Sequence, residues 1–386
     1  MRNRREKSND LLLIRKIEGL TSNAHQIMNG RGALYRNIIR EQFFPPRPLG
    51  RKSVLKAIGT LWKGSGKDPS LFSSVKDFEK LLKKIPSYRD HFIHSFRVFL
   101  LGYFIVNKTI ITRRQGFVAQ GGSSNCEEVA IWKTNDPNLS WMLAATFHDA
   151  GYAIQMVESW LNDLLKEFIG VSPSISANLG QTLPITYSDF MRMISGWHKR
   201  PFSGNIQYQS PNALDWSLLN EMDERLRQSK DHGVWSALML AHLLAIRQGF
   251  ASRERGGLYG DFSSIHVPAC HAICLHNLET ITVEFERYPL AFLLILCDEL
   301  QDWGRHVSRS HEHQQAIKLV DIDVNMSMTH GSRFVFKIHA VVDASQERIE
   351  TLNGTLKKRL KHPDEIEDRR MELLIENTKG HEVYSL

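Results

Sequence analysis

The sequence predicts a mostly α-helical protein, with an all-helical core, a helical N-terminal extension and a small ββα appendage at the C-terminus. Three observations predict it. Apolar stretches with three- and four-residue spacing recur between residues 88 and 305. Each of the strongest carries a histidine or an aspartate among apolar neighbours. Past His306 the pattern changes to short β-branched runs separated by a turn, which is strand patterning. At 386 residues the chain can bury a large core and hold two or three domains. Composition and patterning divide it into a helical extension (1–85), a core (86–310) and a small α+β appendage with a charged tail (311–386).

Hydrophobic content of 42% and charged content of 24% are those of an ordinary soluble globular protein. A net charge of +7 favours anionic partners, a phosphorylated small molecule or nucleotide first and nucleic acid second. Two basic clusters, MRNRREK at the start and KKRLKH at Lys357–His362, read as solvated basic ends. Cys126, Cys270, Cys274 and Cys297 form no CxxC pair and no disulfide framework, so a reducing cytoplasm is expected. The apolar runs Phe96–Val106 and Ala291–Cys297 fall short of the roughly 18 residues of a membrane span and read as buried helix, with no membrane partner. Leu11–Ile14 is broken at once by Arg15 and Lys16, which is not a signal-peptide pattern.

In chain order, Leu11–Leu20 and Gly32–Phe44 read as helices, and Phe43–Ser53 as a turn-rich connector. Lys63–Ser70 lacks the first glycine and the final Ser/Thr of a phosphate-binding loop, and reads as an ordinary loop. Asp77–Lys84 is a short amphipathic helix. Tyr88–Val106 is a strongly apolar helix carrying His91 and His94, which share a face. Residues 107–139 are polar and Gly/Ser-rich. They read as an inserted flap, with strands at Thr109–Phe117 and Glu128–Trp132. Trp141–Ile154 is a helix carrying His148 and Asp149, and Gln155–Phe168 continues it. A loop-rich stretch (170–215) holds one helix near Tyr187–Trp197. Helices follow at Leu214–Arg227, Lys230–Ile246, Val267–Leu278 and, with Pro289 in its first turn, Leu290–Arg305. Ile317–Ser327 and Ser332–Val342 read as strands, Ser345–Lys361 as a helix, and the charged tail beyond Pro363 as a surface helix.

The chemistry centres on LAATFHDAGYAI (Leu143–Ile154). Small and apolar residues run up to the adjacent pair His148-Asp149. Buried charge is costly unless it is paired or coordinates a metal. A hydrogen-bonded core histidine beside a helix-end carboxylate is the plain alternative. Asp298 poses the same problem, flanked by Ile295, Leu296, Cys297 and Leu300.

The order His94, His148-Asp149, His232, His276, Asp298 resembles that of the HD-domain metal-dependent phosphohydrolase superfamily. HSFRV (His94–Val98), LAATFHDAG (Leu143–Gly151), HGVWSALML (His232–Leu240), AICLHN (Ala272–Asn277) and LLILCDELQ (Leu293–Gln301) are similar to that superfamily's successive signature stretches. The resemblance covers about residues 85–305. It implies an HD-type helical core and a hydrolase acting on a nucleotide or another phosphoester through a metal-activated hydroxide. It implies two divalent transition-metal ions, drawn from Mn, Fe, Co, Ni or Zn. His94, His148, Asp149 and Asp298 would hold the first ion, Asp149 would bridge, and His232 and His276 would complete the second. His148 and Asp149 are the residues it implies as catalytic. His91 is the rival of His94, and HSFRV favours His94. His271 is the rival of His276 and reads as a core or outer-layer histidine. His198, His242, His266, His306 and His330 read as ordinary.

The chain also departs from the resembled pattern. Tyr152 stands where many members carry lysine, and Ser236 replaces a glycine. Asn277 follows His276, and no Gly-Tyr-Pro segment comes after it, which separates the chain from the cyclic-dinucleotide phosphodiesterases. The same six ligands also suit a superfamily diiron oxygenase. A non-catalytic nucleotide-sensing module, signalling through the C-terminal strands, is the third expectation.

Overall fold

The computed structural model describes residues 2–20, 31–43, 49–65, 91–119, 131–155, 166–167, 190, 194, 197–199, 207–209, 216–227, 231–252, 265–301, 317–328, 334–361 and 371–386. The fold is mostly α-helical with a small C-terminal sheet-and-helix part. Three helices come first: α1 (Arg2–Gly19), α2 (Arg31–Phe43) and α3 (Arg51–Gly64). The core helices are α4 (His91–Ala119), α5 (Pro137–Phe147), α6 (Trp216–Arg227), α7 (His232–Ser252), α8 (His266–Leu275) and α9 (Pro289–Leu300). Between α5 and α6, β1 (Trp197–Lys199) pairs antiparallel with β2 (Gln207–Gln209).

The core exists because α5, α8 and α9 are apolar nearly all round, so each must be enclosed. Every residue of α5 after Pro137, and every residue of α8, is buried. α8 packs on α5, α7 and α9, and α4 packs on α5 and α9. The α4–α5 approach is very close: a Cβ at Gly102 would stand 2.0 Å from the Trp141 ring, so glycine alone fits there. Among the described residues, one helical stretch, His91–Arg113, is long and apolar enough to cross a membrane, and 83% of its apolar window is buried.

The C-terminal unit comprises β4 (Lys318–Met328), β5 (Phe334–Asp343), α10 (Gln346–Arg359), β6 (Leu360–Lys361), β7 (Met371–Asn377) and β8 (Glu382–Ser385). Its four-stranded sheet has the order β4-β5-β7-β8. β5 and β7 run parallel, with α10 in the crossover between them; the outer pairs are antiparallel. The short strand β3 (Val283–Glu284) of the core pairs with β6. α1 packs on both α4 and β4, and Lys16 pairs with Asp321.

Several expectations are corrected. Thr109–Phe117 is helix, the continuation of α4, so this part of the expected flap is not a hairpin. The β-branched run is overridden where it is enclosed: Ile110 and Ile111 are buried, and Thr109 Oγ1 donates to Ile105 O (2.8 Å) along the helix. Ile131 and Trp132 are helical as well, while 120–130 lie outside the described residues. The helix expected over Trp141–Ile154 begins at Pro137 and ends at Phe147, leaving His148 as its C-cap. α3 starts inside the expected connector at Arg51. Trp197 belongs to a strand. The described part of the tail, 371–386, is not a surface helix: MELLIEN alternates, with Met371, Leu373 and Ile375 buried, and forms β7. The expected helix at Asp77–Lys84 and most of Gln155–Phe168 lie outside the described residues.

A buried ion pair ties the N-terminal helix to α4. Arg97 donates from Nε to Asp10 Oδ1 (2.8 Å) and from Nη2 to Oδ2 (3.1 Å), with both side chains nearly excluded from solvent. Breaking such a pair strands a buried charge, whereas replacing both members by apolar groups need not. Asp10→Ala is therefore expected to lower urea-unfolding stability by about 3 kcal/mol. The double change Asp10→Leu with Arg97→Leu is expected to recover much of that loss. A single-variant loss below about 1 kcal/mol, the ordinary value of an exposed pair, would contradict the assignment.

Candidate metal centre

The centre is assembled from helix ends. α4 carries His91 at its first residue and His94 one turn later. α5 is fixed at its start by Asp136, whose carboxylate accepts the Leu139 N–H (2.9 Å), and by Pro137 in the first turn. At its end the chain turns sharply, with Ala150 N–H on Phe147 O (3.0 Å) and Tyr152 N–H on Asp149 O (3.1 Å), so Asp149 leaves the helix where His148 caps it. α7 opens with His232, directly after Asp231, whose Oδ1 accepts the Val234 N–H (3.1 Å). α8 ends on His276, and Asp298 lies in the last turns of α9.

These ends converge on the Asp149 carboxylate. Oδ2 lies 3.6 Å from His94 Nε2 and 3.5 Å from His148 Nε2, while Oδ1 lies 3.3 Å from His232 Nε2. Asp298 Oδ1 is 3.0 Å from His94 Nε2 and 4.0 Å from His148 Nε2. The His276 ring centroid is 5.3 Å from those of His148 and His232. Two groups of ligand atoms result, His94–His148–Asp149 and Asp149–His232–His276, each within 4.8 Å of one another. Asp149 belongs to both.

The donor set fits a metal ion. His148 Nδ1 donates to Ala145 O (3.0 Å), His276 Nδ1 donates to Ile273 O (2.6 Å), and His94 Nδ1 donates to the Gln301 side-chain oxygen. Each bond fixes the ring and turns Nε2 towards the cluster. The Nε2 atoms of His94 and His148 stand 3.3 Å apart. A proton on one of them, or a metal ion shared between them, reconciles two such nitrogens at that distance. His276 Nε2 is buried and has no hydrogen-bond partner among the described residues. An unpartnered buried acceptor costs about 1–3 kcal/mol unless something binds it.

Electrostatics follow from the crowding. Burial would raise the Asp149 carboxyl, but His148, His232, His91 and His94 outweigh it and hold it well below the usual carboxylate range. Burial would lower His232, but its bond to Asp149 and the charges of Asp149, Asp231 and Asp298 raise it. His276 is pushed down to about 3, by burial first and then by His232 and His148, so it is a neutral imidazole at neutral pH. Neutral imidazole and ionised carboxylate are the forms that bind transition metals.

Glycine makes the approach possible. A Cβ at Gly151 would lie 2.3 Å from His232 O and 2.6 Å from Ser236 N. The bare Gly151 backbone instead donates to Ser236 Oγ (2.7 Å), clamping the His-Asp turn onto the start of α7. Ser236, a departure from the resembled pattern, has this role here.

All six residues proposed from sequence as ligands are brought together. His91 joins them, with Nδ1 3.4 Å from Asp149 Oδ2. Tyr152 packs its ring between His91 (5.4 Å) and His232 (5.6 Å). Gln301 was not singled out; its only sequence signal was its place three residues after Asp298. His271 turns away and donates from Nε2 to Ile194 O (2.7 Å). His242 and His266 belong to neither ligand group. The side chain of His198, and His306 and His330 entirely, lie outside the described residues. Comparison with protein-family models, with curated proteins and with solved structures finds no match to this chain.

His271 generates a pH prediction. Burial pushes its pKa down to about 4. The unfolded chain takes up that proton near 6.5 and the folded chain does not, so the contribution is whole above pH 6.5 and is lost as pH falls towards 4. The shift corresponds to about 3 kcal/mol. Urea midpoints of metal-free protein at pH 7, 5.5 and 4.5 are expected to fall less steeply for His271→Gln than for wild type. Parallel slopes would contradict a neutral buried His271.

Proposed function

We propose that this protein is a metal-dependent phosphohydrolase of HD type, acting on a nucleotide or another phosphoester. The observation that carries the reading is the division of one carboxylate between two histidine groups, Oδ2 towards His94 and His148 and Oδ1 towards His232. That is the disposition of a bridging ligand. His94, His148, Asp149 and Asp298 would hold one ion, and Asp149, His232 and His276 a second. Bound ions of this kind supply an activated water at neutral pH and neutralise charge developing on a phosphoryl group.

The chain's own residues do the rest. The Nδ1 bonds of His94, His148 and His276 set ring orientation before any ion arrives. His91 touches the Asp149 oxygen on the His94 side and orients the carboxylate. Tyr152 offers a ring face where many members of the resembled superfamily carry lysine, so no ammonium stands at that position to neutralise a phosphate. The net charge of +7 favours an anionic substrate in general terms.

Manganese-loaded protein is expected to release phosphate or a nucleoside product from at least one member of a panel of nucleotides, dinucleotides and simple phosphoesters. Asp149→Asn and His148→Ala are expected to lower kcat by about a thousandfold, the scale of losing metal-based charge stabilisation. An intact panel with fully loaded protein would sink the hydrolase reading.

A further inference from the structure

The basic run Lys357–His362 does not behave as one solvated patch. Lys357 and Lys358 are exposed, but Arg359 at the end of α10 is buried, 5% exposed. A buried guanidinium is costly without strong acceptors. Arg359 finds them on the far side of the interface with the core: Nη2 donates to Leu275 O (2.8 Å) and to His276 O (3.0 Å). These are terminal carbonyls of α8, groups that a helix leaves without intrahelical partners and where its dipole is negative.

The contact reinforces a clamp on the segment that follows His276. β6 continues directly from Arg359 and pairs with β3 at Val283↔Leu360 and Glu284↔Lys361. Thr282 Oγ1 donates to Lys358 O (3.2 Å), and Lys361 pairs with Glu284 (2.9 Å). The His276 ring is bonded through Nδ1 to Ile273 O within the same last turn, so ring direction follows the helix end that Arg359 holds.

We propose that Arg359 is a positioning residue for the second half of the metal centre: the C-terminal unit, through this side chain, fixes the His276 end of α8 and so sets the affinity of the His232–His276 half-site. The proposal rests on the two-ion reading above. It makes the sheet-and-helix unit part of the machinery that forms the centre.

The test uses metal-free full-length protein and manganese(II), followed by titration calorimetry. Wild type is expected to bind two ions. Arg359→Gln is expected to keep the first at wild-type affinity and to bind the second about 10–100-fold more weakly, the usual scale for residues that orient ligands. Arg359→Lys, which keeps the charge and can reach one carbonyl, should fall between. Coupling is reciprocal, so loading wild type should slow amide exchange at residues 356–361, and loading His276→Ala should not. A merely structural role would weaken both ions together or neither. Equal weakening, or full retention of both ions by Arg359→Gln, overturns the proposal. If Arg359→Gln fails to fold, Arg359→Lys and the wild-type exchange experiment decide, and unchanged exchange overturns it. Wild type binding no manganese ends the two-ion reading and this inference together. Two ions in wild type with an unaffected Arg359 variant ends this inference alone.

Discussion

One largely enclosed carboxylate sets the terms for the rest of the structure. Asp149 sits among His91, His94, His148 and His232, and its charge persists because those rings surround it. An isolated carboxylate in such a place would take up a proton. Those four histidines, in turn, direct ring nitrogens at the same carboxylate, and beside them His276 Nε2 has no hydrogen-bond partner among the described residues. Neither half makes sense alone. The helices are arranged so that their ends, where backbone turns and caps give access to the interior, deliver these groups to one point.

That arrangement demands close backbone contact. Gly151 lets the His-Asp turn lie against the first turn of α7, and Gly102 lets α4 settle on Trp141. The helices carrying the candidate ligands are among the most apolar of those described, so close packing holds them in register. Two buried polar contacts flank the centre. Asp10 holds Arg97 on α4 near His94, and Arg359 holds the end of α8 at His276. Each end of the chain thus braces one side of the centre.

Much of this was legible in the sequence, for identifiable reasons. A histidine or aspartate in an apolar helix is an energetic anomaly, and six such anomalies in order pointed to a shared centre. The apolar periods of α7, α8 and α9 placed their helices well, because those segments are too hydrophobic to be anything but enclosed. Local propensity failed where tertiary context overrode it. Thr109–Phe117 looked like strand because it is β-branched, yet it extends a buried helix that satisfies its own polar side chains. The tail looked helical because charge dominates it, and the alternation in MELLIEN was the signal passed over. Gln301 and Arg359 act through contacts 207 and 83–84 residues away in sequence, which no local pattern encodes.

The most direct test of the account is the metal content of the purified full-length protein, by plasma mass spectrometry, in wild type, His276→Ala and Asp149→Ala. If Asp149 serves both candidate groups, the protein carries about two transition-metal ions per chain in wild type, about one in His276→Ala and almost none in Asp149→Ala. Two ions retained in Asp149→Ala, or no ion in wild type after loading with Mn, Fe, Co, Ni or Zn, would contradict it.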